Sequence, residues 1–132
     1  MTLRHMIRIN RVVKSFIYAW RGLAKAVREE QNLKIQLLSA LIVFVLAWYF
    51  KIRQWEWVVI ILIINLVILM ELANSAIERI TDVLKPRING YVKEIKDIMA
   101  AAVLVASIAA AVIGALVFWP YLLNFIGNSC NF

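Results

Sequence analysis

The sequence predicts an all-α membrane protein with three transmembrane helices and an N-terminal amphipathic surface helix. Of its 132 residues, 64% are hydrophobic and only 17% are charged, which is more apolar than a typical soluble domain. The apolar residues fall into three separate blocks, each about long enough to cross a bilayer as a helix. We therefore expect a single membrane domain that covers residues 1–132.

The predicted surface helix runs from about residue 6 to about residue 29. Apolar residues recur there at steps of three and four positions, with basic residues largely between them. A basic helix with aromatic side chains on its apolar face lies in the headgroup plane of a membrane. The segment is thus expected to anchor the protein and also to contribute to a site. Its apolar positions are Ile9, Val12, Val13, Phe16, Ile17, Trp20, Leu23, Ala24 and Val27.

Three spans follow, and residues that disfavour a helix lie between them or at their ends. Pro86 and the Asn89-Gly90 pair interrupt the pattern after the second span, because proline lacks an amide hydrogen and Asn-Gly favours a turn. Pro120 is expected to end the third span and to leave a short tail. The predicted spans cover about residues 33–50, 55–84 and 91–119.

The distribution of charge predicts the orientation in the membrane. The formal net charge is +7, and the basic residues concentrate before the first span and between the second and third. Lys51 and Arg53 are the only basic residues between the first and second spans, and no charged residue follows Asp97. The positive-inside rule then places the N-terminus and the second loop in the cytoplasm, with the first loop and the C-terminus outside. Because the charge follows membrane topology, we expect no nucleic-acid partner.

Small residues mark one face of the third span. Ala102, Ala106, Ala110 and Gly114 place a small side chain at every fourth position. Such a face allows close approach of another membrane helix. Three helices of this size bury little surface alone, so we expect an oligomer. The single cysteine, Cys130, cannot form a disulfide within the chain.

A stripe of polar residues leaves the second span. Trp57–Met70 contains no charge, and Glu71, Asn74, Glu78 and Asp82 then follow at steps of three, four and four. These steps place all four on one helical face. An ionisable group at membrane depth costs about 2.5–3.5 kcal/mol on insertion scales. The stripe therefore predicts a partner, and a metal ion or a metal-bound phosphate is a natural one.

Further polar residues lie at the same membrane depth, with Glu29 and Glu30 before the first span and Lys96 and Asp97 at the start of the third. Carboxylate and amide oxygens suit Mg²⁺, which often binds through one or two carboxylates plus substrate phosphates. A lysine there would neutralise charge on a transferring phosphoryl group. The four glycines fit neither a P-loop nor a kinase glycine loop.

A simpler interpretation explains the carboxylates by local ion pairing. Glu78 would pair in the neighbourhood of Arg79, and Asp82 would pair with Lys85, as interfacial charges often do. A proton-coupled transporter subunit that uses Glu71 as an intramembrane carboxylate is a further alternative. A structural subunit whose stripe docks a basic partner is another.

The stripe also carries a family resemblance. The run ELANSAIERITD at 71–82, followed by Lys96-Asp97 and an alanine-rich helix, resembles the small bacterial integral-membrane diacylglycerol kinase and undecaprenol kinase family. The N-terminal segment agrees as well, and the resemblance covers roughly residues 8 to 120 in total. Its matching positions are Arg11, Phe16, Tyr18, Trp20, Arg21, Gly22, Leu23 and Glu30.

The resemblance implies a homotrimer with active sites shared between subunits in the bacterial inner (plasma) membrane. It implies transfer of the γ-phosphoryl group of ATP, with Mg²⁺, to the hydroxyl group of a membrane lipid. By position, Glu71 would be the general base, Glu30 and Glu78 the metal ligands, and Asn74 and Asp82 supporting residues. The nucleotide-binding positions would be Arg11, Tyr18, Glu30, Glu78, Lys96 and Asp97, with the loop around 87–89 nearby.

The resemblance favours undecaprenol over diacylglycerol as the lipid. Glu30-Gln31-Asn32 resembles a pattern of the undecaprenol kinase branch, and Gln36 is polar where that branch often carries histidine. Diacylglycerol remains the alternative substrate.

Overall fold

The computed structural model describes residues 9–84 and 89–129. They form four helices and, within those ranges, no strand. Three of the helices are long and apolar enough to cross a membrane, so the predicted all-helical membrane fold is confirmed. The helices are α1 (Ile9–Glu29), α2 (Gln31–Tyr49), α3 (Gln54–Leu84) and α4 (Asn89–Ser129).

The surface helix α1 exposes its apolar side chains. Phe16 and Trp20 are 73% and 71% exposed, and Ala26 is the buried residue of the helix. The extended backbone of Glu30 alone separates α1 from α2. An amphipathic helix with an uncovered aromatic face suits the membrane interface. Residues 6–8 of the predicted helix lie outside the described ranges.

A tight turn reverses the chain between α2 and α3. Lys51 has a positive φ of 50°, and its amide donates to the Trp48 carbonyl at 3.2 Å, while the Ile52 amide donates to the Ala47 carbonyl at 3.2 Å. This pair of bonds is the Schellman arrangement that satisfies carbonyls at a helix end. Ile52 and Ala47 are both buried, so the turn is stabilised by packing as well as by hydrogen bonds.

The helix α4 does not end at Pro120 as expected but continues through it to Ser129. Proline removes one helical hydrogen bond, and contacts across the bundle compensate. The Tyr121 hydroxyl donates to the Glu56 carboxylate, and the Phe50 ring lies 6.3 Å from Tyr121 and 6.2 Å from Phe125. The expected short tail after Pro120 was therefore wrong for the described residues; Cys130 lies beyond them.

Glu56 is a buried carboxylate at this end of the bundle, with 6% of the residue exposed. It accepts a 2.7 Å bond from the Arg53 amide as well as the Tyr121 bond. A buried charge needs such partners because its desolvation is costly. Glu56 thus joins the start of α3 to α4. We call this end of the bundle, with the α2–α3 turn, the turn end, and the opposite end, with α1, the α1 end.

Candidate active site

The polar stripe of α3 lies at the α1 end and becomes more exposed along the helix. Glu71 is 2% exposed, Asn74 and Glu78 are half-buried, and the Asp82 side chain is 62% exposed. The helical spacing puts the four on one face. A graded site of this kind connects the apolar interior with the aqueous boundary.

Glu71, at the buried end of the stripe, is held by α2. The side-chain amide of Gln36 donates from Nε2 to Glu71 Oε2 at 3.1 Å. Gln36 Oε1 is buried and has no hydrogen-bond donor among the described residues. A buried carboxylate at a helix contact, with an unsatisfied acceptor beside it, suits a ligand that brings a hydroxyl group.

Asn74 and Glu78 form the next pair along the stripe. Asn74 Nδ2 donates to Glu78 Oε1 at 3.1 Å, and the Thr81 hydroxyl donates to the Glu78 backbone carbonyl at 2.9 Å. The first bond orients the Asn74 amide, and its Oδ1 is left buried without a donor in the described part of the chain. A carboxylate and a free amide oxygen side by side present hard oxygen ligands.

These oxygens supply part of the ligand set that a divalent cation needs. No three His, Cys, Asp or Glu side chains within residues 9–84 and 89–129 are grouped to hold one ion. Mg²⁺ often needs only one or two carboxylates, because waters and substrate phosphates complete its coordination. The Glu78 carboxylate and Asn74 Oδ1 are oxygen ligands of the kind that Mg²⁺ prefers.

Glu30, the other predicted metal ligand, contacts a residue that the sequence analysis did not place in the site. Arg79 Nη2 lies 2.8 Å from Glu29 Oε2 and 3.2 Å from Glu30 Oε1. The guanidinium thus bridges the end of α1 to α3. The signal for this contact in the sequence is an arginine directly after Glu78 within an acidic stripe.

Lys96 and Asp82 are brought together across α3 and α4. Lys96 Nζ lies 2.6 Å from Asp82 Oδ1, a pair that the simpler interpretation does not predict. Lys85, the partner which that interpretation expects for Asp82, lies outside the described residues. Asp97 is exposed beside a shallow depression of α4 that also includes Lys93 and Glu94.

Among the described residues, no contact brings the predicted nucleotide-binding residues of α1 to the polar stripe. Tyr18 is 64% exposed and Arg11 is also exposed. Residues 87 and 88 of the predicted nucleotide loop lie outside the described ranges. The single chain therefore assembles the stripe, Gln36, Glu30 and Lys96, and leaves Arg11 and Tyr18 on its surface.

The fold and this site define a helical membrane protein with a carboxylate-rich centre at one end of its spans. The profile of the family described as prokaryotic diacylglycerol kinase matches residues 17–118. The chain belongs to this family and is therefore a membrane enzyme of the kinase class.

Three relatives illustrate the similarity. An undecaprenol kinase of Bacillus subtilis (strain 168) is 33% identical over 118 residues, covering 89% of this chain and 96% of that protein. A diacylglycerol kinase of Escherichia coli (strain K12) is 29% identical over 111 residues, covering 84% and 91%. A diacylglycerol kinase of Synechocystis sp. (strain ATCC 27184 / PCC 6803 / Kazusa) is 32% identical over 111 residues, covering 83% and 63%.

Proposed function

We propose that the protein transfers the γ-phosphoryl group of ATP to the hydroxyl group of a membrane lipid, and that it prefers undecaprenol to diacylglycerol. The observation that carries this proposal is the buried Glu71 carboxylate, 2% exposed and bound to Gln36 inside a helical membrane bundle. Membership of a kinase family supports phosphoryl transfer. A carboxylate at that depth can meet a hydroxyl group that stays within the bilayer.

Glu71 acts as the general base in this proposal. Its carboxylate accepts the proton of the lipid hydroxyl as the hydroxyl oxygen forms a bond to the γ-phosphorus. The bond from that phosphorus to the β,γ-bridging oxygen breaks at the same time, and ADP leaves with the electron pair. The products are a lipid phosphate and ADP, and Glu71 then returns its proton to the aqueous side.

Glu78 and Asn74 would hold Mg²⁺, and Glu30, which pairs with Arg79 at 3.2 Å, would be a further ligand. Bound Mg²⁺ supplies positive charge to the phosphate oxygens. Lys96 contacts the same phosphates, and Asp82 keeps its ammonium group near the stripe at 2.6 Å. Because phosphoryl transfer depends mainly on positioning and charge stabilisation, these residues do not need a covalent role.

Arg11, Tyr18 and Asp97 complete the nucleotide site by contact with a neighbouring subunit. This part of the proposal rests on a homotrimer whose active sites are shared, which would bring the exposed Arg11 and Tyr18 of one copy to the stripe of the next. The α1 end faces the cytoplasm, where ATP is available, and the C-terminus lies outside. The positive-inside rule supports this orientation.

A lipid panel tests the proposal. Purified protein in lipid nanodiscs receives γ-labelled ATP, Mg²⁺ and either undecaprenol or diacylglycerol, and the labelled lipid phosphate is measured. We expect labelling of both, with a higher kcat/KM for undecaprenol. A higher value for diacylglycerol would reverse the substrate preference, and no labelled lipid would reject the function. Proton-driven flux in ATP-free liposomes, together with no labelling, would favour a transporter that uses Glu71.

A further inference from the structure

A cavity of about 350 Å³ lies between the three spanning helices. Small residues of α2 and α4 form two of its walls, and branched aliphatic residues of α3 form the third. Gln36 lines it near the α1 end, and Ile60 and Gly114 line it towards the turn end. The cavity is thus an apolar groove between the spans that runs along them and is open on one side, where Ser39 and Ala111 are exposed.

The cavity ends beside Gln36, the residue that holds the proposed base. Gln36 lines the cavity and also donates to Glu71 at 3.1 Å. Its Oε1 is buried without a donor among the described residues. Ile60 and Glu71 are separated by eleven positions of α3, or about 16 Å at the helical rise. A hydroxyl group placed at Glu71 would therefore have an apolar passage of about that length behind it.

We infer that this cavity binds the part of the substrate's hydrocarbon chain that directly follows the hydroxyl group. The inference rests on the proposed function and specifies its substrate as a lipid alcohol whose hydroxyl carbon continues straight into hydrocarbon. The walls beyond Gln36 are apolar apart from Ser39 and Ser107, and the Ser39 hydroxyl already donates to the Ile35 carbonyl at 2.9 Å.

This chemistry favours a polyprenyl alcohol over a diacylglycerol. Diacylglycerol carries ester groups next to its hydroxyl, and they would enter the apolar walls with few hydrogen-bond donors to meet them. Burial of an unpaired polar group is unfavourable. A polyprenyl chain presents only hydrocarbon at those positions, so the walls bury it at no such cost.

The position of Gly114 allows a direct test of chain length. A Cβ added at Gly114 would meet no heavy atom within 4 Å, so a larger side chain there can occupy the far end of the cavity. Ser107 lines the cavity about two turns of α4 nearer to the α1 end. Geraniol, with two isoprene units, is shorter than the passage, whereas undecaprenol, with eleven, is much longer.

We therefore compare Gly114→Leu and Ser107→Leu with the control Val112→Phe, which enlarges an exposed residue of α4 that does not line the cavity. Gly114→Leu should raise KM for undecaprenol about tenfold and KM for geraniol less than about twofold. Ser107→Leu should raise both, and Val112→Phe neither. Equal effects of Gly114→Leu on the two alcohols, or a changed oligomeric state without a changed KM, would overturn the inference.

A second measurement does not depend on turnover or on the variants. Wild-type protein is irradiated with a polyprenyl alcohol that carries a diazirine on its second isoprene unit, and the labelled residues are found by mass spectrometry. Labels should lie on residues that line the cavity; labels confined to exposed faces would overturn the inference. If the wild type phosphorylates no lipid, the proposed function is rejected. If it phosphorylates lipid normally but the labels lie elsewhere, only the binding of the hydrocarbon chain in the cavity is rejected.

Discussion

The side-chain amide of Gln36 on α2 donates from Nε2 to Oε2 of Glu71 on α3 across 3.1 Å. This bond joins two spans at the buried end of the polar stripe. It fixes one oxygen of the carboxylate and gives the carboxylate a defined orientation at the apolar cavity. The contact therefore supports both the proposed base and the proposed chain site.

Glu71→Gln should lower the rate of phosphoryl transfer by about 10²–10⁴-fold, because an amide cannot accept the hydroxyl proton. The substitution keeps the shape of the side chain, and an amide can still pair with Gln36, so the fold should persist. Transfer from labelled ATP measures the rate, and thermal unfolding in detergent measures the fold. Glu56→Gln is the control, since it removes the charge of a buried carboxylate at the turn end. A wild-type rate for Glu71→Gln would reject Glu71 as the base.

Gln36→Leu should lower kcat about tenfold, because loss of a hydrogen bond to a charged group leaves the Glu71 carboxylate without its orienting donor. Gln36→His should restore part of kcat, since an imidazole N–H can donate in the same place. The KM for ATP, measured in the same assays, should stay unchanged in both variants. Equal losses in the two variants would indicate that Gln36 matters for packing rather than for orientation.

Arg79→Leu should lower the Mg²⁺ concentration for half-maximal activity by about twofold to fivefold, the scale of an exposed ion pair. The reason is that Arg79 occupies the Glu30 carboxylate at 3.2 Å and would compete with a cation. Binding of Mn²⁺, followed by electron paramagnetic resonance, provides a readout without turnover. Arg28→Leu removes a neighbouring positive charge from α1 as the control. A higher Mg²⁺ requirement in Arg79→Leu would contradict competition.

Lys96→Met should reduce kcat at least about 100-fold, because a charge that stabilises the transferring phosphoryl group is lost. Stability should change by less than about 1 kcal/mol, since the pair with Asp82 is largely exposed and such pairs contribute little. Lys93→Met, on the same helix and exposed, should leave kcat within about twofold of the wild type. Similar losses for Lys93→Met and Lys96→Met would point to a general charge effect.

Tyr121→Phe should lower the unfolding temperature by about 2–5 °C, because the buried Glu56 carboxylate loses a hydrogen-bond donor. Phosphoryl transfer should remain near the wild-type rate, since the contact lies at the turn end. Tyr49→Phe is the control, because Tyr49 belongs to the same aromatic group and is 61% exposed. An unchanged unfolding temperature for Tyr121→Phe would mean that Glu56 does not hold α4 in place.

Much of the fold could be predicted from the sequence because a bilayer imposes a length and a polarity on each span. The apolar blocks gave the three spans, and the three- and four-residue steps gave the amphipathic α1 and the common face of Glu71 and Glu78. These are local properties of the chain. The exception was Pro120, because the helix there is stabilised by contacts with Glu56 and Phe50, which are distant in sequence.

The sequence by itself therefore determined the helices, the polar stripe and the family resemblance. Only the tertiary structure decided which residues meet: Gln36 with Glu71, Glu30 with Arg79 and Asp82 with Lys96. The first two pairs are 35 and 49 positions apart. Their contacts depend on how each helix is rotated and shifted along its neighbour. That arrangement follows from side-chain packing between helices, which the spacing within one helix does not specify.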